Sequence, residues 1–135
     1  MARELFIDAS AWIAVAHTQD NHHQTAKEIY PQLAQEYQRF VTTNLVLAEV
    51  HALLRRRLGH LLSMQFLDSM TGYKLDKVFE TAELETQAIA ILRQYDDQAL
   101  SYADAVSFAL MKQRRITDVF TYDQHFRVMG FQIIG

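Results

Sequence analysis

Four carboxylates of the chain stand among apolar neighbours, where ionised side chains are unusual. Asp8 and Asp123 each follow directly on a largely apolar run that is typical of a β-strand. Glu49 and Asp104 each have apolar residues four positions before and after them, which is the spacing of one helical face. Because burying a lone carboxylate costs on the order of several kcal/mol, such residues need partners. Each acid taken alone also allows a simpler interpretation, as a helix cap or a member of an ion pair.

Carboxylates that converge favour a divalent cation, because their mutual repulsion otherwise raises their pKa values. The chain has no cysteine, which excludes a thiolate zinc site, an iron–sulfur site and a cysteine nucleophile. A site made only of oxygen ligands favours Mg²⁺ or Mn²⁺ over zinc. The acids therefore predict a Mg²⁺ or Mn²⁺ site that is formed by Asp8, Glu49, Asp104 and Asp123.

The histidines do not form a recognisable metal motif. None of them has the two-histidine spacing, with its glutamate, of the zinc peptidases. The chain also lacks a glycine-rich phosphate loop and a G-x-S-x-G nucleophile motif. We interpret the six histidines as partly exposed side chains: His17, His22, His23, His51, His60 and His125.

Two clusters of basic residues allow a contact with phosphate groups. The first is the run of three arginines at 55–57, and the second lies at 112–115. A cluster of this kind contacts the backbone of a nucleic acid, or it is simply the solvated end of a helix. The candidates for guiding a nucleic acid are Arg56, Arg57, Lys112, Arg114 and Arg115.

Length and composition indicate an ordinary globular domain. The chain has 135 residues, of which 50% are hydrophobic and 21% charged, so we expect one domain over residues 1–135 and exclude disorder. The net charge of −3 does not indicate a nucleic-acid-binding protein, although a local basic patch is enough for binding. No apolar run approaches the ~20 residues of a membrane span, and the start does not read as a signal peptide. We expect a cytoplasmic protein with no membrane partner.

Short apolar runs alternate with helical patterns along the chain. Strands are predicted at residues 5–7, 40–43, 77–80, 118–122 and 131–134. The helices between them indicate an α/β domain around a buried, mostly parallel sheet. Sites in such sheets form beyond the carboxyl ends of the strands. We also expect Ser10 to cap the first helix, and Pro31 to kink or restart the second.

Four segments in this order carry a family resemblance. They are residues 5–14, 42–50, 100–109 and 119–126, the last followed by Gly130-Phe131. Each is weak alone, but four at these separations form a specific pattern that covers nearly the whole chain. The sequence resembles a PIN-domain ribonuclease of the VapC-like toxin type.

The resemblance implies a fold and a chemistry. The fold would be a PIN-like three-layer α/β/α sandwich with a central, mostly parallel sheet of four to five strands. The four acids would bind one or two divalent ions, Mg²⁺ or Mn²⁺, that support hydrolysis of RNA phosphodiester bonds. Asp8 and Asp104 would be the central ligands, and Glu49 and Asp123 would complete the site directly or through water.

The resemblance also implies supporting residues. Ser10, Asn44 and Thr121 match polar positions beside the acids and would support them. Asp20 and His23 match a recurrent Asp-x-x-His pattern, which we interpret as structural. The additional histidine before His23 departs from the pattern and has no assigned role.

The implied partners are an RNA substrate, a small antitoxin protein and a second copy of the chain in a homodimer. Two alternatives stay open within the family: a housekeeping PIN nuclease without an antitoxin, and a PIN-like module that binds a partner without catalysis. A phospho-accepting receiver domain also has acids at strand ends. Its required aspartate at the end of the third predicted strand is missing, because that strand ends in Glu80.

Overall fold

A computed structural model describes residues 3–135, and in it five short strands form one sheet that is flanked by helices. The strands are β1 (Glu4–Ile7), β2 (Arg39–Thr43), β3 (Leu75–Val78), β4 (Asp118–Phe120) and β5 (Gln132–Ile134). The helices are α1 (Ala9–Ala16), α2 (His23–Glu36), α3 (Asn44–Leu58), α4 (His60–Ser69), α5 (Ala82–Gln94), α6 (Tyr102–Arg114) and α7 (His125–Val128). Among the residues described, no helix is both long and apolar enough to cross a membrane.

The strand order β3-β2-β1-β4-β5 and the parallel pairing at every neighbour confirm the predicted parallel α/β fold. The central strand β1 has Leu5, Phe6 and Ile7 at 0% exposure. This burial explains why β1 reads as a continuous apolar run, since both faces of a parallel sheet are covered by helices.

Aromatic side chains join the helices to one face of the sheet. The Trp12 ring of α1 packs edge-on against Tyr30 of α2 at 6.2 Å and Phe66 of α4 at 6.1 Å. Tyr30 in turn contacts Phe40 of β2. The Trp12 indole N–H donates to the Thr42 hydroxyl at 3.3 Å, so the buried nitrogen is satisfied.

A second aromatic group covers the other face. Phe108 of α6 packs edge-on against Phe126 of α7 at 4.8 Å, and Phe126 lies against Phe6 of β1 at 6.4 Å. Helix α5 packs along α6 in the same layer. The two groups of helices enclose the sheet as a three-layer sandwich, which agrees with the expected architecture.

The sheet has a topological switch point between β1 and β4. The chain proceeds outward from β1 to β2 and β3, and then returns to place β4 on the other side of β1. At such a point the connections leaving the two strands turn away from each other and open a crevice at the carboxyl ends. Asp8 directly follows β1, and Asp123 lies three residues after β4.

Several boundaries differ from the prediction. Strand β3 lies at Leu75–Val78, two residues earlier than predicted, and β4 ends at Phe120 rather than Tyr122.

Helix α1 begins at Ala9 with Asp8 at the N-cap position, so the prediction that Ser10 caps this helix is wrong. The Ser10 hydroxyl instead contacts Asp8 and Thr121, which use its hydrogen-bonding capacity.

Pro31 does not restart α2, which runs as one helix from His23 to Glu36, and a kink at Pro31 stays a prediction. Pro31 and Lys27, whose carbonyl loses its helical donor, are both exposed, so water can satisfy that carbonyl. Ala26 and Leu33 anchor the opposite side of the helix in the core. This packing outweighs the local preference of proline to break a helix.

Candidate active site

The four acids singled out in the sequence line one cleft at the carboxyl end of the sheet. The cleft has a volume of about 320 Å³. Its walls come from the start of α1, the middle of α3, the segment before α6 and the loop after β4. We call it the acidic cleft; it is lined by Asp8, Ala9, Ser10, Ile13, Glu49, Ala99, Ser101, Asp104 and Asp123.

Asp8 is the deepest of these acids, with only 5% of its surface exposed. Its position after β1 places it at the floor of the cleft. The Thr121 hydroxyl donates to Asp8 Oδ2 at 2.9 Å, and the Ser10 hydroxyl lies 3.4 Å from the same oxygen. Both hydroxyl contacts therefore fix the carboxylate through one oxygen.

Burial raises the pKa of Asp8 to about 7, above its ordinary value of 3.8. Hydrogen bonds from the Ala9 backbone and from Thr121 act in the opposite direction, but they do not offset the loss of hydration. The charges of Asp104 and Asp123 raise the pKa further. The site thus carries an unfavourable negative charge at neutral pH, which a bound cation would relieve.

Thr121 and Ser10 link the ends of β1 and β4. Their hydroxyl oxygens lie 3.0 Å apart. Thr121 Oγ1 accepts from the Asp123 backbone N–H at 3.0 Å, and Ser10 Oγ accepts from the Tyr122 N–H at 2.9 Å. These bonds set the path of the loop that carries Asp123, so both residues make the supporting contacts that were expected of them.

Asp104 lies in the first turn of α6, where its carboxylate forms a capping box. Asp104 Oδ2 accepts from the Ser101 N–H at 3.0 Å, and Ser101 Oγ accepts from the Asp104 N–H at 3.0 Å. Burial is the main cause that raises the pKa of Asp104 above its ordinary value, and the charge of Asp123 adds to it. The helix-cap and active-site interpretations of Asp104 are thus compatible, since one carboxylate oxygen serves the cap.

Glu49 lines the cleft from α3, but it is exposed, so the prediction that it lies within an apolar helical face is wrong. The buried positions of α3 are Val46, Leu47, Val50 and Leu54. Partial desolvation beside the cleft raises the pKa of Glu49, and the charges of Asp104 and Asp123 contribute.

Asp123 is held by the residue that begins α7. Asp123 Oδ1 accepts from the His125 backbone N–H at 2.9 Å, and His125 Nδ1 lies 2.8 Å from the same oxygen. His125 is therefore a partner of the site that the sequence analysis did not identify. A histidine two residues after the acid was the available signal.

The donor set of the acidic cleft suits a hard divalent cation. Four carboxylates supply oxygen ligands, and no lysine or arginine is found among the described residues that line the cleft. Within residues 3–135, however, no three histidine or acidic side chains are grouped closely enough to form a ready-made metal site. The chemistry of the residues fits Mg²⁺ or Mn²⁺, and their role as ligands stays a prediction.

Within residues 3–135, the structure gives no hydrogen bond through which Asn44 supports the acids, and this expected role stays a prediction. It begins α3, and its Oδ1 atom is buried without a hydrogen-bond partner among the residues described. The cap of α3 is the preceding residue, Thr43, whose hydroxyl accepts from the Val46 N–H at 3.1 Å. No hydrogen bond between Asn44 and the four acids is found in the described part of the chain.

Arg114, a candidate for guiding a nucleic acid, lies away from the acidic cleft and pairs with two acids, which does not favour that predicted role. It ends α6 and reaches the amino end of β1, where its Nε donates to Glu4 at 3.2 Å. Its Nη1 atom also donates to Asp76 of β3 at 2.7 Å. Helix α6 runs opposite to the strands, so a residue at its end lies far from Asp104 at its start.

The other basic candidates are exposed and stay predictions. Arg115 follows α6 in a left-handed conformation, with φ of 58°, and lines the same end of the sheet as Arg114. Lys112 also lies in the last turn of α6, and Arg56 and Arg57 lie in the last turn of α3.

The Asp-x-x-His pattern makes the structural contacts that were expected. The Asp20 carboxylate accepts from the His22 N–H at 3.0 Å, and the His23 ring nitrogen Nδ1 lies 2.8 Å from the carbonyl of Ala14. These contacts fix the loop between α1 and α2. His17 differs from the expectation for the histidines, because only 7% of it is exposed.

The comparisons with known proteins identify a family and a homologous nuclease. The family model described as PIN domain matches residues 5–132. The 23S rRNA-specific endonuclease VapC20 of Mycobacterium tuberculosis, in strains CDC 1551 / Oshkosh and H37Rv, is 34% identical over 129 residues. The match covers 94% of this chain and 95% of that protein.

Solved structures show the same architecture. The crystal structure of M. tuberculosis VapC20, described as a sarcin–ricin loop cleaving toxin, matches with a TM-score of 0.87 and 32% identity, over 94% of this chain and 95% of that one. VapBC2 from Rickettsia felis, bound to a DNA fragment from their promoter, matches with a TM-score of 0.72, 11% identity and 97% coverage of both chains. The second likeness shows the fold alone.

Proposed function

Because this chain belongs to the PIN domain family, we propose that it is a metal-dependent endoribonuclease and the toxin of a toxin–antitoxin pair. The observation that carries the proposal is the meeting of Asp8, Glu49, Asp104 and Asp123 in one cleft at the switch point of the sheet. The described residues that line the cleft include four carboxylates and no lysine or arginine, so the repulsion between these acids destabilises the folded state. A bound divalent ion would offset this repulsion and would give the acids a function.

In this proposal Asp8 and Asp104 are the central ligands of Mg²⁺ or Mn²⁺, and Glu49 and Asp123 complete the site. When bound, the ion lowers the pKa of water and screens the negative charge of the phosphate. The residues of the chain supply position: Thr121 and Ser10 orient Asp8, and the contacts of the other acids orient them. Hydrolysis by water needs no side-chain nucleophile.

The substrate that we propose is an exposed loop of ribosomal RNA. The support is the homologous VapC20, whose name assigns it to 23S rRNA and whose structure is described as cleaving the sarcin–ricin loop. The proposal extends to a single PIN domain over residues 1–135 that acts in the cytoplasm, where ribosomes are found.

An antitoxin partner and a homodimer belong to the same proposal. An apolar groove of about 380 Å³ lies between α1, α3 and α4, with Trp12, Leu54, Leu62 and Phe66 among its lining residues. It shares α1 and α3 with the acidic cleft, so a peptide anchored there would also reach the carboxylates. Copurification with the product of an adjacent gene tests the antitoxin, and light scattering of the chain alone tests the homodimer.

The test of the nuclease is a cleavage assay with purified ribosomal RNA and with a hairpin that carries the sarcin–ricin loop. We expect cleavage in Mg²⁺ or Mn²⁺ that stops when EDTA is added. Asp8→Asn and Asp104→Asn should each lower the rate by at least about 100-fold, because the charge that holds the ion is lost. Circular dichroism should show that both variants remain folded.

Asp68→Asn is the matched control, because Asp68 is an exposed acid on α4 outside the acidic cleft. It should cleave at the wild-type rate. Cleavage that persists at the wild-type rate in both Asp8→Asn and Asp104→Asn would remove these residues from the mechanism. RNA that stays intact with the wild-type chain and either metal would contradict the nuclease proposal.

A further inference from the structure

Two aromatic rings are stacked beside the acidic cleft. The His22 and Tyr122 ring centres lie 4.1 Å apart, and the two planes differ by only 4°. His22 comes from the loop before α2, and Tyr122 comes from the loop after β4, directly before Asp123 of the cleft. The stack therefore joins two loops at the edge of the site, and nothing in the proposed mechanism uses it.

The stack is fixed by hydrogen bonds on both sides. The His22 backbone N–H donates to Asp20 at 3.0 Å, and the Thr25 hydroxyl donates to the His22 carbonyl at 3.1 Å. Thr25 Oγ1 also lies 3.5 Å from the Tyr122 hydroxyl. The Tyr122 N–H donates to Ser10, which lines the acidic cleft. The rings are thus held in one orientation relative to the carboxylates.

One surface of the stack is left open. His22 covers one face of Tyr122, and the buried ring of Phe120 lies edge-on to Tyr122 at 5.9 Å. His22 itself is an exposed residue, and no other aromatic ring among the described residues packs on it. The outer face of the imidazole is therefore available to a flat ligand group.

Because the acidic cleft is negatively charged, RNA binding requires affinity from an uncharged surface such as an aromatic ring. Four carboxylates repel the phosphates of a nucleic acid, and no basic side chain is found among the described residues that line the cleft. Base stacking on an aromatic ring supplies affinity without a charge, and it requires an unpaired base. The exposed His22 ring, stacked on the residue that precedes Asp123, is a surface of this kind.

We propose that an unpaired base of the substrate RNA, next to the phosphate that is cut, stacks on the outer face of His22. Tyr122 supports the imidazole from behind, so the base extends an existing stack of two rings. The inference rests on the proposed ribonuclease function and adds a specificity-determining contact to it. Paired RNA would be disfavoured because its bases are not free to occupy this surface.

The first experiment compares KM and kcat for cleavage of the sarcin–ricin loop hairpin. His22→Ala should raise KM about 5- to 30-fold, the loss that corresponds to about 1–2 kcal/mol of stacking on one base. The value of kcat should change less than threefold, because the contact lies outside the reacting groups. His22→Phe keeps a flat ring and should restore most of the wild-type KM.

His60→Ala and Tyr73→Ala are matched controls. His60 is exposed at the start of α4, and Tyr73 is 96% exposed before β3, at the opposite end of the sheet from the cleft. Both should keep the wild-type KM. Thermal unfolding of all variants separates loss of the RNA contact from loss of folding.

The second experiment observes the stacking itself, in the catalytically impaired Asp104→Asn background. Hairpins that carry 2-aminopurine at each loop position in turn are mixed with the protein in Mg²⁺. Binding should quench the fluorescence at a position next to the cleavage site, and His22→Ala should remove that quenching. A purely structural role of the stack would leave the quenching unchanged.

The two proposals fail in different ways. A wild-type chain that cuts the hairpin, combined with an unchanged KM and unchanged quenching in His22→Ala, would overturn only the stacking contact. A His22→Phe variant as weak as His22→Ala would overturn it as well, because the flat ring would then not be the active feature. A wild-type chain that cuts no RNA would overturn the ribonuclease function and the stacking contact with it.

Discussion

At the scale of single residues, Asp8 shows how the site opposes folding. Burial weakens this acid, whose pKa rises to about 7, while in the unfolded chain it remains near 3.8. Between pH ~4 and ~7, the Asp8 carboxyl is therefore protonated in the folded state and ionised in the unfolded state. The contribution of Asp8 to stability is present below pH ~4 and is lost as pH rises through 7.

Asp8→Asn should consequently stabilise the metal-free chain in a pH-dependent manner. We expect little difference from the wild type near pH 4, and a gain on the order of 2–4 kcal/mol near pH 8, since one pKa unit corresponds to about 1.36 kcal/mol. Urea unfolding in EDTA at several pH values measures this difference. A gain that stayed constant with pH would show that the ionisation of Asp8 is not its source.

Glu49 shows where residue-level reasoning was insufficient. Its apolar neighbours at four-residue spacing predicted a buried position, but α3 buries the face that contains Val46, Val50 and Leu54 instead. A helix with apolar residues on most sides has no unique face, so the sequence does not determine its rotation. By contrast Asp8 was predictable, because a carboxylate that follows a buried parallel strand can only lie at the sheet end.

At the scale of elements, α6 connects the cleft with the opposite end of the sheet. Its first turn holds Asp104 in the capping box with Ser101, and its last residue, Arg114, pairs with Glu4 and Asp76. Asp104 was identified in the sequence from its apolar neighbours, but this capping box was not predicted. The pairing of Arg114 was not predicted either, because its two acids are distant along the chain.

Changes at the two ends of α6 should separate stability from catalysis. Arg114→Ala should lower the free energy of unfolding by about 1–3 kcal/mol, because two partly buried carboxylates lose their partner. Its kcat and KM for RNA should stay at the wild-type values. A KM that rose severalfold in the folded variant, measured well below its unfolding temperature, would return Arg114 to the RNA-binding residues.

Ser101→Ala should affect both properties. Loss of the cap should cost about 0.5–2 kcal/mol in urea unfolding, and the loosened first turn of α6, which positions Asp104, should reduce the cleavage rate. Thr81→Ala is the matched control, because Thr81 caps α5 in the same way and does not line the cleft. It should lose comparable stability and keep the cleavage rate.

The end of α3 provides the sharpest test of RNA guidance. Arg56 and Arg57 follow Glu49 by two helical turns, about 10–12 Å along the axis, which suits neighbouring phosphates rather than the one that is cut. Replacing both with Ala should raise KM much more than it lowers kcat, and should flatten the dependence of affinity on salt. If the RNA affinities of the wild type and the double variant depended equally on salt concentration, these arginines would contact solvent or another partner instead of the RNA.

At the scale of the whole molecule, the fold was more predictable than its details. Five apolar runs separated by helices indicated a parallel α/β sheet, and all five strands exist. The positions of β3 and of the strand ends shifted, because pairing register is decided by distant neighbours. The return of the chain to place β4 beside β1 is likewise a tertiary choice, and it is this choice that brings Asp123 near Asp8.

Binding of a metal should be visible in the stability of the whole domain. A ligand at 100 times its dissociation constant stabilises the folded state by about 2.7 kcal/mol. We expect Mn²⁺ to raise the melting temperature of the wild type and to have little effect on Asp104→Asn. An equal shift in both would locate the ion outside the acidic cleft.

The strand order also determines when, during synthesis, the acidic cleft can form. The acidic cleft needs Asp8 from the first strand and Asp123 from beyond the fourth, with nearly the whole chain between them. Until β4 has emerged from the ribosome, one edge of β1 is unpaired and the acidic cleft cannot assemble. The proposed nuclease activity is thus absent until translation of the domain is almost complete, and chains that are truncated before β4 should cut no RNA.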